Sequence, residues 1–277
     1  MTGKKNPVAK KPRAKRPVGL ILESMKHVFS ISHVPEKEAI WQWGEAKEGE
    51  LPSIFDIGIW NIWKGLGGDE FLTEYQRMVK DRHLLLFQEA LLTLKLLAQY
   101  APDGYAAHHG ATYRRKDGYR DGVMTVCAVA PDQGGKRVLC LAPEPLLRTT
   151  KATLITKFKV KGKLNSLCVV NTHATLMRRP STATRELEQV IKHIVTHPGA
   201  IIYAGDFNTF SPSYIAEADR ALASIGLKRV VIEGDPRTST TALDQLYVRG
   251  VEVIEAKIDT SYLQSDHFPI TAKIRIE

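Results

Sequence analysis

The sequence predicts an α/β fold with a mixed β-sheet arrangement. Apolar, strand-like segments alternate along the chain with amphipathic, helix-like segments. Some strands are joined by helices and others by tight turns, which favours mixed sheets over an all-parallel sheet. The length of 277 residues and the hydrophobic fraction of 43% suffice for a large core. We therefore expect one large domain over about residues 50–277, after a basic tail and lead-in over residues 1–40.

The first half of the domain has the order strand, helix, strand, helix. Residues 54–60 alternate apolar and polar or small side chains, which is typical of a strand. Residues 69–80 have apolar side chains at helical spacing, and acidic residues in the first turn favour a helix N-terminus there. The apolar run 84–87 predicts a short buried strand, and residues 91–100 predict the second helix.

The second half adds further strands and two more helices. Residues 181–196 have helical periodicity, and Pro198 and Gly199 end that helix. A last helix is expected over residues 213–225, closed by Gly226. Short apolar or alternating runs predict strands at 122–130, 138–142, 152–159, 166–171, 200–204, 243–248, 251–257 and 269–276.

The net charge of +9 comes mostly from the N-terminus. Residues 1–17 contain seven Lys and Arg residues and no acid, which leaves +2 for residues 18–277. This tail is rich in Lys, Pro and Ala, and we expect it to be disordered. It could bind nucleic acid by releasing counterions, or it could be a solubilising extension. The pI of 9.4 therefore describes a tail and does not indicate a basic domain.

Cysteine usage and hydropathy suggest an intracellular protein. Cys127, Cys140 and Cys168 lie far apart in apolar stretches, so we expect reduced core residues rather than zinc ligands or disulfides. No apolar run approaches the roughly 18–20 residues of a membrane span. The apolar stretch 18–22 is short for a signal peptide and is followed by Glu23, so we expect a cytoplasmic location.

Polar side chains follow six of the predicted strands or lie at their ends. Loops at one end of the strands build the active site in layered α/β folds, so we expect these side chains on one rim. Oxygen ligands without paired Cys or clustered His suit a hard divalent ion such as Mg²⁺. The polar residues concerned are Asn61, Glu89, His173, Asp206 with Asn208, Asp244, and Asp266 with His267.

The run Gly205–Asp206–Phe207–Asn208 has two interpretations. In extended backbone, Asp206 and Asn208 would point to the same face, where they could hold a water molecule and a phosphate. Gly, Asp and Asn are also common turn formers, so the run could be only a turn.

Six short runs follow one another in a fixed order: Trp-Asn-Ile at 60–62, Gln-Glu-Ala at 88–90, Gly-Val-Met-Thr at 122–125, Asn-Thr-His-Ala at 171–174, Gly-Asp-Phe-Asn at 205–208 and Ser-Asp-His at 265–267. In this order they resemble the endonuclease/exonuclease/phosphatase superfamily, and most closely its short bacterial YafD-like branch. The resemblance covers about residues 52–277. It implies a DNase I-like, four-layer α/β sandwich in which two mixed β-sheets pack face to face with helices outside.

The resemblance implies a metal site and a water-activating site. Glu89, with Asn61 and Asp266, would hold Mg²⁺, with Mn²⁺ as an alternative, and the ion would neutralise developing charge on a phosphate. Asp206 would orient or deprotonate the attacking water, and Asn208 would hydrogen-bond the phosphate.

Four further residues have implied roles in phosphate binding. His267 would donate to the scissile phosphate, and Asp244 would hold its ring and keep it protonated, because an adjacent carboxylate favours the imidazolium. His173 matches a phosphate-contacting position of the superfamily, although a histidine after a strand is often structural. Arg185 is a candidate substrate ligand on the following helix, where an arginine is more often a surface residue.

The resemblance favours a metal-dependent phosphoesterase that hydrolyses a phosphodiester, with a nuclease as the first choice. The alternatives are a phosphatase or phosphodiesterase acting on a small or lipid-linked phosphate, and a catalytically silent phosphate-binding module. A silent relative should have lost a site residue, whereas Glu89, Asp206, Asp244, Asp266 and His267 are all present. We expect a monomer without a membrane span.

Two local features bear on nucleic acid as the substrate. The DNA-repair branch has an aromatic residue shortly before the acid matched by Asp244, whereas residues 240–243 here are Thr, Thr, Ala and Leu. An abasic-site endonuclease is therefore disfavoured. The segment 113–116 with Tyr119 and Arg120 is the best basic and aromatic patch, and it could contact a phosphate backbone or be an exposed loop.

Overall fold

Two mixed β-sheets and four helices make up the described part of the chain. A computed structural model describes residues 31–144, 149–176, 180–232 and 243–277. The basic tail 1–17, the stretch 18–22 and residues 240–242 lie outside these ranges. The helices are α1 (Gly68–Val79), α2 (Leu94–Tyr100), α3 (Pro180–Ile194) and α4 (Pro212–Ala223). The strands are β1 (Ile31–His33), β2 (Ile40–Gly44), β3 (Ile54–Asn61), β4 (Leu84–Gln88), β5 (Ala106–Arg115), β6 (Arg120–Cys127), β7 (Gln133–Leu139), β8 (Ala152–Phe158), β9 (Leu167–His173), β10 (Ile201–Asp206), β11 (Lys228–Arg229), β12 (Asp244–Arg249), β13 (Val251–Ile258) and β14 (Ile270–Ile276).

Each sheet mixes parallel and antiparallel pairs. Within the described residues, the first sheet has the order β1-β5-β6-β4-β3-β14-β13, with β2 also paired to β5. The second has the order β11-β12-β10-β9-β8-β7. The pairs β3–β4 and β9–β10 are parallel, and the other named pairs are antiparallel. Parallel pairs bring the carboxyl ends of their strands to the same edge, and this is where the polar residues lie.

Four layers of secondary structure, helices, sheet, sheet and helices, enclose three layers of apolar side chains. Alternate residues of β3, such as Ile57 and Ile59, pack against Val169 and Ile202 of the second sheet. On the outer face of the first sheet, α1 and α2 cover a cluster that contains Trp60. On the outer face of the second sheet, α3 and α4 cover a cluster that includes Tyr203. This arrangement follows from the period of two in the strands and confirms the predicted α/β sandwich with helices outside.

Most of the predicted strands and all four helices are present, with shifted ends. The predicted strand 166–171 continues to His173, and the strand 200–204 continues to Asp206. The helix predicted from residue 91 begins at Leu94, because Thr93 caps it by accepting from the Leu96 amide. The sequence did not predict β1, β2, β5 or β11. Strands β1 and β2 both pair with β5, so the lead-in contains paired strands from residue 31 onward.

The basic and aromatic patch is largely paired within the fold. Arg114 and Arg120 both contact Glu38, and Arg115 contacts Asp117. Arg120 also stacks over Trp41. The segment spans the end of β5, a turn that contains Lys116 and Tyr119, and the start of β6, and two carboxylates pair with three of its four cations.

Cys127 and Cys168 are buried and Cys140 is partly buried, and none of the three forms a disulfide bond within the described residues. None of the described helices is long and apolar enough to cross a membrane.

Candidate active site

Strand register brings three of the candidate residues side by side in the second sheet. Asp206 ends β10, and its partner on the parallel strand β9 is His173. On the antiparallel strand β12, its partner is Asp244. All three side chains are buried. Residues separated by 33 and 38 positions in the chain therefore become neighbours, because three strands end at the same edge.

The first sheet contributes Asn61 and Glu89 at the facing edge. Asn61 ends β3 and is the register partner of Gln88, which directly precedes Glu89. Asn61 Nδ2 donates to Asp206 Oδ2 at 3.1 Å, so this amide links the two sheets across the site. Asn61 Oδ1 accepts from the amide of Trp63 at 3.1 Å.

A loop before β14 positions His267. Ser265 Oγ donates to the Asn61 carbonyl at 2.6 Å and accepts from the His267 amide at 3.2 Å. Trp60 Nε1 donates to the His267 carbonyl at 3.1 Å. These bonds anchor both ends of the short run 265–267 to β3, so the imidazole is held against the second sheet.

His267 lies between two carboxylates. Its Nδ1 is 2.9 Å from Asp244 Oδ2, and its Nε2 is 3.9 Å from Asp206 Oδ2. Burial alone would lower the pKa of His267, but Asp244 outweighs this and, with Asp206, raises it to about 10. The imidazole is therefore protonated at neutral pH, and it presents an N–H donor on the side of Asp206.

Asp206 is a buried carboxylate with one oxygen fixed and the other facing the site. The Asn208 amide donates to Oδ1 at 3.0 Å. Oδ2 faces Asn61, His173 Nε2 at 3.4 Å and His267 Nε2. Burial raises the pKa of Asp206 to about 6, against the opposing effect of His267. Asp206 is therefore ionised at neutral pH and has a basicity suited to accepting a proton.

Asn208 does not continue the extended backbone of β10. It has a left-handed φ of 51°, and its Nδ2 donates to the Ala174 carbonyl at 2.7 Å. The expectation that Asp206 and Asn208 share one face as strand neighbours is wrong, because the chain turns at this point. The bond from the Asn208 amide to Asp206 is an Asx-type turn, so the turn and the site are the same structure.

Gly205 permits the close approach of β10 and β9 at the site. Its φ is +136°, and a Cβ there would lie 2.0 Å from the Thr172 carbonyl oxygen. We predict that Gly205→Ala lowers the free energy of unfolding by about 2–4 kcal/mol, through strain and overpacking. Gly49→Ala is the control, since a Cβ there meets no atom within 4 Å. Urea unfolding midpoints measure both, and equal midpoints would contradict this account.

His173 and Glu89 lie in a second group of charges beside Asp206. Burial and the neighbouring Lys151 hold the pKa of His173 well below its usual range, so the ring is neutral. Burial would raise the pKa of Glu89, but Lys64 and Lys151 hold it well below the usual range. Lys64 Nζ is 3.0 Å from Glu89 Oε2, and Lys151 Nζ is 3.5 Å from Oε1.

Two candidates are exposed instead of buried in the site. Asp266 is exposed next to the loop anchor at Ser265, and its charge contributes to the raised pKa of His267. Arg185 is exposed on α3, and no hydrogen bond or ion pair among the described residues joins it to the cluster. The structure therefore places Arg185 outside the cluster and Asp266 at its rim, and their assigned roles stay predictions.

Comparison with known proteins places this geometry in a family. Residues 58–267 match the Endonuclease/Exonuclease/phosphatase family. The chain belongs to that family. A UPF0294 protein of Yersinia enterocolitica is 30% identical over 226 residues, which cover 79% of this chain and 83% of the relative. A UPF0294 protein of Erwinia tasmaniensis is 30% identical over 249 residues, or 86% and 89% of the two chains. These relatives confirm the predicted YafD-like resemblance.

Solved structures of the endonuclease/exonuclease/phosphatase family share the fold at low identity. A family member from Beutenbergia cavernae superposes with a TM-score of 0.64 at 15% identity, covering 80% of this chain and 72% of that one. The human Nocturnin catalytic domain, solved with a bound sulfate anion, gives 0.59 at 16% identity, covering 89% and 100%. Membership of the family supports a hydrolase that acts on phosphoester bonds.

Enzymes of this family generally use divalent metals, and two groups of side chains here could hold one. Among the described residues, ligand atoms of Asp206, Asp244 and His267 lie within 4.8 Å of one another. His267 Nδ1 is hydrogen-bonded to Asp244, so this group would have to rearrange for the imidazole to bind an ion on that side. Glu89 offers the hard oxygen donors that Mg²⁺ prefers, and Asn61 is the register partner of Gln88, which directly precedes it.

The charge of the buried cluster also fits a divalent cation. Ion pairs between described residues join five carboxylates to three cations, two of them by the further contacts Lys64–Asp121 at 3.0 Å and Lys151–Glu144 at 3.4 Å, and His173 is neutral. These ionised groups therefore have a net charge of −2, which a bound phosphate anion would make more negative. A bound divalent cation would balance this charge. The carboxylates are Glu89, Asp121, Glu144, Asp206 and Asp244, and the cations are Lys64, Lys151 and His267.

Four members of this cluster, and a second residue that links the two sheets, were not predicted from the sequence. Lys64, Asp121, Glu144 and Lys151 surround Glu89. Asn171, quoted only as part of a motif, bonds Gln88 Nε2 at 2.8 Å and donates to two carbonyls of the first sheet. A usable signal existed for Lys64, which follows the Trp-Asn-Ile run by two positions. A second signal was Lys151, a charged residue directly before an apolar strand.

Proposed function

We propose that this chain is a metal-dependent phosphodiesterase that hydrolyses its substrate at the rim where Asp206 and His267 lie side by side, with nucleic acid as the first substrate class to test. The observation that carries the proposal is the pair formed by an ionised, buried Asp206 and a protonated His267, 3.9 Å apart. A base and a cationic donor that lie side by side on one rim can act together on a phosphate and its attacking water.

The protein's own groups divide the chemistry between them. Asp206 accepts the proton of the attacking water through Oδ2, because its other oxygen is held by the Asn208 amide. His267 donates its Nε2 proton in a hydrogen bond to a phosphate oxygen, and Asp244 keeps the ring charged. Asn61 and neutral His173 hold the reactive oxygen of Asp206 in place. Asn208, by our proposal, contributes its amide group to the phosphate.

Glu89 is the proposed principal metal ligand, with Asn61 and Asp266 as the other candidates. A bound Mg²⁺ or Mn²⁺ would supply Lewis-acid stabilisation of the charge that develops on the phosphate. The excess of two negative charges in the cluster supports this assignment, since a phosphodiester anion would otherwise enter a site of its own sign.

We predict that the purified chain hydrolyses bis-p-nitrophenyl phosphate in the presence of Mg²⁺ or Mn²⁺ and that excess EDTA abolishes the activity. Release of p-nitrophenol measures the rate, and restoring the metal should restore it. Plasmid DNA, single-stranded DNA, RNA and a sphingomyelin dispersion then distinguish a nuclease from an esterase acting on lipid-linked phosphate. No turnover of any of these with either metal would refute the enzyme proposal in favour of a silent phosphate-binding module.

A further inference from the structure

Glu89 is held by two lysines, and each lysine also contacts a second carboxylate. Lys64 Nζ lies 3.0 Å from Glu89 Oε2 and 3.0 Å from Asp121 Oδ2. Lys151 Nζ lies 3.5 Å from Glu89 Oε1 and 3.4 Å from Glu144 Oε1. Both lysines are largely buried, with side-chain exposures of 19% and 9%. One lysine would be enough to neutralise the charge of Glu89. Neutralisation alone therefore does not explain why two lysines contact Glu89 and why each contacts a second carboxylate as well.

The backbone fixes Lys64 and Glu89 opposite each other. Both residues have left-handed backbone conformations, with φ of 62° and 52°. The Lys64 amide donates to the Glu89 carbonyl at 2.9 Å. Residues with side chains seldom adopt this conformation, and where the surrounding structure enforces it the position is commonly functional. Lys64 is therefore an integral part of the site.

A divalent cation and the Lys64 ammonium compete for the same carboxylate. Mg²⁺ binds oxygen at about 2.0–2.1 Å, well inside the ion-pair distance of an ammonium. Two like charges this close repel strongly where little water screens them. Lys64 has a flexible four-carbon stem, and Asp121 already lies at ion-pair distance from it. The ammonium can therefore leave Glu89 without losing its counter-charge.

We propose that Lys64 is a resident counter-ion of Glu89, which a divalent cation displaces and Asp121 then retains. The proposal rests on the metal-dependent function proposed above and makes Lys64 a positioning residue for the metal ligand. In the metal-free protein, Lys64 keeps Glu89 in place. Only protein in which Lys64 has left Glu89 can bind the metal. The apparent dissociation constant for the metal therefore rises as the fraction of protein in that state falls.

Mn²⁺ binding measured by isothermal titration calorimetry tests this without any turnover. Lys64→Met should bind Mn²⁺ about 10- to 100-fold more tightly than the wild type, the range expected when one charged hydrogen-bonding competitor is removed. Asp121→Asn should bind Mn²⁺ more weakly, because Lys64 then has only Glu89. The matched control is Lys95→Met, which removes an exposed lysine with its own partner, Asp69, and should leave the affinity unchanged.

The double variant Lys64→Met/Asp121→Asn protects the test against misfolding. It removes the buried pair together, so Asp121 is not left without its cation, and it should also bind Mn²⁺ more tightly than the wild type. The effect of Asp121→Asn should be smaller in the Lys64→Met background. Equal Mn²⁺ affinity in the wild type and both Lys64 variants would overturn the proposal. A wild type that binds no Mn²⁺ would overturn both this proposal and the proposed metal requirement. If that protein still hydrolysed a phosphodiester without metal, the proposal that the chain is a hydrolase would stand.

Discussion

Asp206→Asn should reduce kcat for phosphodiester hydrolysis by on the order of 10² to 10⁴, the usual contribution of a general base. The amide has nearly the same shape but cannot accept the proton of the attacking water. The Asn208 amide can still bond the remaining carbonyl oxygen, so the turn should persist. Steady-state kinetics on bis-p-nitrophenyl phosphate, with Mn²⁺ at saturation, measure the loss.

A matched carboxylate elsewhere separates this effect from a general loss of charge. Asp219 bonds Arg229 and Tyr247 and is not connected to the cluster by any of the contacts between described residues. Asp219→Asn should therefore retain the wild-type rate. If both Asp206→Asn and Asp219→Asn keep a rate within a few-fold of the wild-type rate, Asp206 is not the general base.

Asp244→Asn should lower kcat by about 10²-fold, because it removes the charge that keeps His267 an imidazolium donor. The pH profile gives a second readout. Activity needs Asp206 ionised and His267 protonated, so the wild-type rate should rise through the pKa of about 6 and fall only near the pKa of about 10. Without Asp244, burial lowers the pKa of His267, and the alkaline limb should move to lower pH.

The acidic limb provides the internal control for that experiment. Asp244 also raises the pKa of Asp206, through repulsion between the two carboxylates. Its removal should therefore move the acidic limb slightly to lower pH as well. An alkaline limb that stays in place in Asp244→Asn would show that His267 is not the titrating donor. Thermal melting of each variant confirms that it is folded.

Part of the candidate site could be predicted from strand ends alone. His173, Asp206 and Asp244 each follow or begin an apolar run, and parallel or antiparallel pairing makes them neighbours. The alternation of strand-like and helix-like segments predicted an α/β fold, and the family resemblance supplied the order of its four layers. Short-range periodicity was sufficient here because the site lies where regular strands stop.

The lysine pair around Glu89 could not be predicted in this way. Lys64 and Lys151 are separated by 87 positions in the chain, and their meeting depends on how the two sheets pack. Strand β5 was missed for a related reason, because its polar residues, such as His108 and His109, are buried between layers. Asn208 was misplaced since a left-handed residue interrupts the extended pattern. Each of these depends on tertiary packing.

The most direct test of the central claim, that Asp206 and His267 prepare water to attack phosphorus, is a single-turnover reaction in ¹⁸O-labelled water. Bis-p-nitrophenyl phosphate is mixed with excess wild-type protein and Mn²⁺, and mass spectrometry locates the label. The account predicts one ¹⁸O atom in the p-nitrophenyl phosphate product and none in p-nitrophenol. Label in p-nitrophenol, or an unlabelled phosphate product after one turnover, would contradict it.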